Sequence, residues 1–298
     1  MIHRRGVAVL TILLAAAAAV SLPHMLAVRP EQMIRAPSRP LELLPELSAA
    51  HLAALPEARY DAVIGALLPA EGPANADRAY RLRNDSVLYA ADRTTPIARL
   101  AAQNFLGEPS VVVPVERAGD WLRVLTPARQ RLPSVLNKSA GTKSAGTGPT
   151  GINSYGARAP AQSSAWLRAD SLSSPTILTD RIIVSVSAQT LSIIGVGSHT
   201  WPVGVGAPGT PTPIGVTGYL QARYRDAAQG QAVHPVQLTS LHSTAADEPF
   251  GGNDGGLIGI HFQSSASGAV SHGCIRVPLE AITAVNVLPL GTLITIEE

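Results

Sequence analysis

A single cysteine, Cys274, stands in a chain of 298 residues, and aromatic residues make up only 4% of it. Charge of either sign is also scarce. The 23 basic and 21 acidic side chains leave a formal net charge of +2, which gives no electrostatic footprint for nucleic acid. No phosphate-cradling G-x-x-x-x-G-K-[ST] run and no dinucleotide fingerprint occurs, so no nucleotide cofactor is expected. No metal is expected either: His242, His261, His272 and Cys274 include acceptable zinc ligands, but no second Cys or acidic residue accompanies them at a regular short spacing. Folding would have to bring in Asp254, Glu297 or Glu298. What is abundant is small, apolar or turn-forming: 46% hydrophobic residues with 26 Gly and 24 Pro, a composition of short strands and turns.

At the N-terminus His3, Arg4 and Arg5 precede an uncharged, mostly apolar run from Gly6 to Leu22, closed by Pro23. A basic n-region before an apolar h-region directs export, so residues 1–23 are expected to be a signal peptide or a membrane anchor. Both remain open, because small residues from Ala15 to Ser21 offer cleavage sites while 17 residues approach the length that spans a bilayer. Export makes the cysteine count informative. Structural cysteines outside the cytoplasm come in pairs, and a leftover thiol is either intermolecular or reactive.

Residues 24–77 alternate prolines with short Leu/Ala-rich runs such as Leu47 to Leu55, the pattern of a helical, Pro-rich stalk. Residues 78–174 read as a first β unit, with Ser86 to Ala90, Ser110 to Val115 and Trp121 to Leu125 as strands. Within it, 137–164 is rich in Ser, Gly, Thr and Ala and is expected to be a disordered insertion, since it has too little apolar surface to bury. Residues 178–298 read as a second all-β unit. Ile182–Val186 and Leu191–Ile194 form a hairpin pattern, and Trp201–Gly206, Leu257–Phe262 and Leu293–Ile296 supply further strands. Leu279 to Val287 is the one short helix, ended by Pro289 and Gly291.

Chemistry concentrates in Gly259-Ile260-His261-Phe262 and Ser271-His272-Gly273-Cys274-Ile275-Arg276, which bring a thiol near two imidazoles and a guanidinium. A free thiol with a pKa of about 8.5 is only a few per cent ionised at neutral pH, so a nucleophilic cysteine needs a neighbouring base or cation. Both His261 and His272 qualify. Strand residues at i and i+2 share a face, so an extended Ser-His-Gly-Cys would align His272 with Cys274, whereas His261 arrives from another strand. The amides near Gly273 and Cys274 are candidate donors to the oxygen that becomes negative in a tetrahedral intermediate. His199 and His234 sit in loop-like surroundings and are expected to be solvated.

These residues, with Ile182-Ile183-Val184-x-Val186-x-x-x-x-Leu191 and the Val203-Gly204-Val205-Gly206 to Pro211-Thr212-Pro213-Ile214-Gly215 block, resemble the catalytic domain of bacterial L,D-transpeptidases over about 178–298. The resemblance implies an all-β sandwich in which Cys274 is the nucleophile and His261 its base. It further implies that His272, Gly273 and Ser271 shape the pocket and oxyanion region, and that Arg276 orders the site or holds a substrate carboxylate. Two departures stand out: Phe262 follows the base where the family often has Gly, and only thirteen positions separate His261 from Cys274. Upstream, Gly119-Asp120-Trp121-Leu122-Arg123-Val124 and Trp166-Leu167-Arg168-Ala169 resemble strands of bacterial SH3-like modules, which implies a small β-barrel over 78–174. Trp121 and Trp166 are expected as core or groove-wall residues.

The resemblance implies an exported, cell-wall enzyme acting on peptidoglycan stem peptides. The thiolate attacks the carbonyl of the third stem residue, a diamino acid, expels D-Ala, and the thioester passes to an amine of a neighbouring stem. Hydrolysis of the same thioester would make an L,D-carboxypeptidase. An inactive wall-binding protein is the alternative outside catalysis.

Overall fold

The computed structural model describes residues 47–134, 159–225, 233–247 and 253–298. The N-terminal apolar run, the Pro-rich residues before 47 and most of the insertion lie outside them. Among the described residues no helix is long and apolar enough to cross a membrane.

Short, β-branched runs punctuated by Gly and Pro cannot sustain helices, and the chain is mainly β. After a six-residue helix α1 (Ala49–Ala54), whose first turn is capped by Ser48 Oγ accepting from the His51 amide, nine strands among the described residues form the upstream unit. They are β1 (Leu68–Pro69), β2 (Arg78–Leu82), β3 (Ser86–Tyr89), β4 (Pro96–Leu100), β5 (Val111–Val112), β6 (Pro114–Ala118), β7 (Trp121–Thr126), β8 (Ser163–Arg168) and β9 (Leu172–Ile177). One sheet runs β4-β3-β8-β7-β6 with β1 added on β8, and β5-β2-β9 forms a second. Alternate residues of both sheets, among them Leu82, Leu88, Leu100, Val112, Val124 and Leu167, meet in one core. Trp121 and Trp166 are buried, Trp121 edge-on to Tyr89 at 5.0 Å, and Arg168 and Arg93 lie over the two indoles.

The stretch expected as a stalk divides at its described part. Ala58, Ile64 and Leu67 are buried in the upstream core, the Ala58 amide bonds the Arg99 carbonyl at 2.7 Å, and Arg99 forms ion pairs with Glu57 and Asp85. Residues 56–69 are thus woven into the β unit, because their apolar side chains find a core in that sheet. The end of the expected disordered insertion is likewise structured: Ala159 to Ser164 are buried, and β8 begins at Ser163.

The second unit contains β10 (Arg181–Ser185), β11 (Thr190–Ile194), β12 (His199–Pro202), β13 (Gly204–Gly206), β14 (Val216–Tyr224), β15 (Val236–His242), β16 (Ala246–Asp247), β17 (Asn253–Asp254), β18 (Leu257–Phe262), β19 (Gly268–Ser271), β20 (Ile275–Val277), helix α2 (Leu279–Asn286) and β21 (Leu293–Glu297). Its ten-stranded path runs β12-β11-β10-β21-β14-β15-β18-β20-β13-β19, with β16 and β17 as a separate ribbon. β14 joins two halves, pairing with β21 through Val216 to Tyr219 and with β15 through Leu220 to Tyr224. Ile182, Val184 and Leu191 from one half share a core with Ile258, Ile260, Ile275 and Val277 from the other, and α2 adds Ala281, Ile282 and Val285. Folding the path about β14 therefore makes the sandwich. At about 1.5–3 kcal/mol for each fully buried large aliphatic side chain, this core is what fixes strand register around the site.

The two units also share buried surface. Ala79, Val113 and Leu125 pack with Tyr219 and Leu293, and Gln162, itself fully buried, accepts from Ser240 Oγ of β15 at 2.7 Å.

Candidate active site

β18 and β20 lie side by side and parallel, with Ile260 opposite Ile275, His261 opposite Arg276 and Phe262 opposite Val277. Ile258, Ile260, Ile275 and Val277 point into the core. Because side chains alternate along a strand, Gly259, His261, Cys274 and Arg276 share the opposite face. Cys274 stands just before β20, diagonal to His261, and its sulfur is met by the Gly259 N–H at 3.4 Å and lies 3.9 Å from the Leu257 carbonyl oxygen. A Cβ at position 259 would press on Val236 Cγ1 at 3.0 Å, while it would meet the sulfur at an ordinary 3.9 Å, so glycine there relieves the packing of β18 against Val236.

Burial pushes the Cys274 thiol pKa up, against opposing pulls from the Gly259 N–H and the Arg276 cation. Burial likewise pushes the His261 imidazole down, helped by Arg276 and opposed by its contact with a carbonyl. That contact is Nδ1 with Phe262 O at 3.2 Å. The resting pair is therefore a thiol and a neutral imidazole: an acid with its proton still on it, diagonal to a base free to take one. The Arg276 Nε is buried without a hydrogen-bond partner among the described residues.

The Ser-His-Gly-Cys segment is bent, not extended. Gly273 has φ +104°, a region that penalises any Cβ, and a Cβ there would sit 2.9 Å from Ile258 Cδ1. The bend breaks the i, i+2 relation expected between His272 and Cys274: His272 is exposed, while the half-buried Cys274 turns to β18. Ser271 is buried and braces the bend from within, its Oγ donating to Cys274 O at 2.5 Å and accepting from the Gly273 N–H at 3.1 Å. The Gly273 amide, a candidate oxyanion donor from sequence, is thus engaged by Ser271 in this state.

Sequence reasoning left Thr210 and Thr212 without a role, and they are the outer brace. Thr212 Oγ1 accepts from the Gly206 N–H at 2.9 Å and donates to Gly273 O at 2.8 Å. Thr210 Oγ1 donates to Ser271 O at 2.9 Å, which also accepts from the Ala207 amide. The available signal was Pro211-Thr212-Pro213: two fixed φ angles around one hydroxyl suit a rigid polar prop.

Of the other histidines, His242 is buried on β15 with Nε2 at 2.9 Å from the Tyr60 carbonyl oxygen, His234 contacts Thr283 Oγ1 at 3.1 Å, and exposed His199 stacks on Trp201. Among the described residues no group of three His, Cys, Asp or Glu is placed to hold a metal.

Residues 179–296 match the model of the YkuD family, the L,D-transpeptidase catalytic domain. The match covers the whole site and stops short of the upstream unit. Solved structures similar to this chain include an L,D-transpeptidase from Mycobacterium tuberculosis H37Rv, 16% identical over 79% of this chain and 98% of that one, with a TM-score of 0.33. Another is an L,D-transpeptidase from Mycobacterium smegmatis, 15% identical over 60% and 91%, with a TM-score of 0.31. A third, L,D-transpeptidase 3 from Mycobacterium tuberculosis in complex with a faropenem-derived adduct, is 15% identical over 79% and 98%, with a TM-score of 0.31. No curated protein matches the chain. The family match supports a transpeptidase-type role on peptidoglycan.

Proposed function

We propose that this protein is an exported L,D-transpeptidase that links peptidoglycan stems through a thioester on Cys274. The observation that carries the reading is the shared face of β18 and the β20 lead-in, with a thiol, a neutral imidazole and a guanidinium in adjacent register positions.

In the first half-reaction Cys274 Sγ attacks the carbonyl carbon of the third stem residue as His261 takes the thiol proton. The S–C bond forms, the tetrahedral intermediate collapses, and the C–N bond to D-Ala breaks with His261 returning the proton to the leaving amine. In the second, the side-chain amine of a diamino acid on a neighbouring stem attacks the thioester carbonyl as His261 accepts its proton, the new C–N bond forms, the C–S bond breaks, and His261 returns the proton to Sγ to regenerate the thiol. A resting thiol with a raised pKa suits this sequence, because proton transfer then accompanies attack instead of preceding it. The diagonal placement of base and nucleophile leaves their hydrogen bond to form when substrate binds, as is common in unliganded sites.

Arg276 serves both partners: its cation favours the developing thiolate and adds to the burial that keeps His261 neutral, and its fork suits a stem carboxylate. Ser271, Gly273 and His272 form the bend that presents the sulfur, with His272 on the solvent side.

Incubation with a disaccharide tetrapeptide tests the reading by product mass. Cross-linked dimer is expected, and tripeptide monomer alone would assign an L,D-carboxypeptidase. A carbapenem, an acylating agent the family resemblance implies, should add covalently to wild type and not to Cys274→Ala. Absence of the adduct on wild type would favour a wall-binding protein.

A further inference from the structure

Arg129 belongs to the upstream unit, in the turn after β7, yet its guanidinium is buried at 5% exposure against the second unit. One nitrogen, Nη2, donates to two main-chain carbonyls, Ser243 O and Gly255 O, each at 3.1 Å. These carbonyls lie at the two ends of the segment that leaves β15 and returns as β18. The Arg129 backbone is itself held, its N–H donating to Ala62 O at 3.0 Å and its carbonyl accepting from Ile64 N at 2.9 Å. Beside it, His242 closes β15 against the upstream unit through Tyr60 O and through its amide to Ala161 O at 2.8 Å. A buried guanidinium is costly unless its donors are satisfied, and here acceptors from two chain segments meet at one of its nitrogens.

We propose that Arg129 is a positioning residue for the thiol site, clamping the ends of the β15 to β18 connection so that β18 starts in register with the sulfur. The chain distances are short. Gly255 is two residues before Leu257, whose carbonyl lies against Cys274 Sγ, four before Gly259, which donates to it, and six before His261. Ser243 N also donates to Gly256 O at 2.9 Å, so loosening Gly255 frees the same strand end from both sides. The upstream unit is then a working wall of the catalytic centre. This inference rests on the acyl-transfer reading of Cys274.

The test compares wild type, Arg129→Met, Arg129→Lys and Leu88→Ala, full-length and well below their melting temperatures. Leu88 is buried in the upstream core, so Leu88→Ala lowers stability without touching the clamp. Arg129→Met should acylate with a carbapenem about 10- to 100-fold more slowly, the scale of a displacement near 1 Å. It should also be alkylated faster by iodoacetamide, because a loosened β18 uncovers the sulfur, and amides from 255 to 261 should exchange hydrogen faster. Arg129→Lys, which keeps the charge but not the reach and fork, should fall between and supplies the result if Arg129→Met does not fold. Leu88→Ala should match wild type in all three. Wild-type rates in the Arg129 variants, or the same changes in Leu88→Ala, would overturn the proposal. If wild type forms no carbapenem adduct, the acyl-transfer reading fails, while alkylation and exchange still decide whether Arg129 holds the site.

Discussion

The Gly259 N–H donates to Cys274 Sγ across the parallel β18–β20 pair, so the proposed nucleophile is held by the backbone of the strand that carries its proposed base, His261. Burial outweighs that bond and the Arg276 cation, and the thiol stays protonated above the ordinary cysteine range. A raised pKa means less thiolate at any given pH. Iodoacetamide alkylation, followed by intact mass on the only cysteine in the chain, is therefore expected to show a pH midpoint above the value of about 8.5 for a free thiol. Arg276→Ala should move the midpoint further up. A midpoint that falls in that variant would contradict the electrostatic role given to Arg276.

Thr212→Val keeps the shape and removes the hydroxyl that links Gly206 N to Gly273 O. Two buried backbone groups lose their partner, at about 1–3 kcal/mol each before relaxation. Denaturant unfolding should show a loss of that order with an unchanged m-value. Acylation of the folded variant should slow, since Gly273 directly precedes Cys274, the proposed nucleophile. Thr212→Ser, which restores the hydroxyl, should recover most of both.

Strand positions whose side chains alternate were legible in the sequence: Leu257–Phe262 is found with the same limits, and the hairpin of β10 and β11 and helix α2 fall within a residue or two of expectation. β14 was not legible, because Val216 to Ala222 are buried on both faces and carry Gly218 and Gln221 where alternation would be read. What buries its outer face is the upstream unit, through Tyr219 against Ala79, Val113 and Leu125. The site was legible as residue types but not as geometry. Cys274, His261 and Arg276 share a face because β18 and β20 pair in parallel, a long-range fact no local pattern encodes, whereas the bend that sends His272 outward turns on the positive φ of Gly273.

Gly273→Ala isolates that bend. The new methyl meets Ile258 Cδ1 at 2.9 Å and must adopt φ near +104°, a strain of about 1–3 kcal/mol. The end of the Ile258 side chain can give way to the methyl, but the backbone strain is relieved only by unwinding the bend that aims Cys274 at Gly259. Carbapenem acylation of folded Gly273→Ala is expected to fall at least as far as its stability would suggest, with far-ultraviolet circular dichroism unchanged. Wild-type acylation in this variant would show that the bend does not set the position of the sulfur.

His242 makes folding pH-dependent without taking part in chemistry. Burial, with Arg129 nearby, lowers its pKa to about 3, and its Nδ1 is buried without a hydrogen-bond partner among the described residues. In the unfolded chain the same imidazole titrates near 6.5. Between those values the unfolded state binds a proton that the folded state refuses, so this contribution is complete above about pH 6.5 and is lost progressively as pH falls towards 3. The limiting slope for one proton is about 1.4 kcal/mol per pH unit. Urea unfolding from pH 7 down to pH 4 should show this decline, and His242→Gln, which cannot protonate, should flatten it by up to one proton. A slope unaltered by that substitution would assign the acid sensitivity to other groups and leave His242 as packing alone.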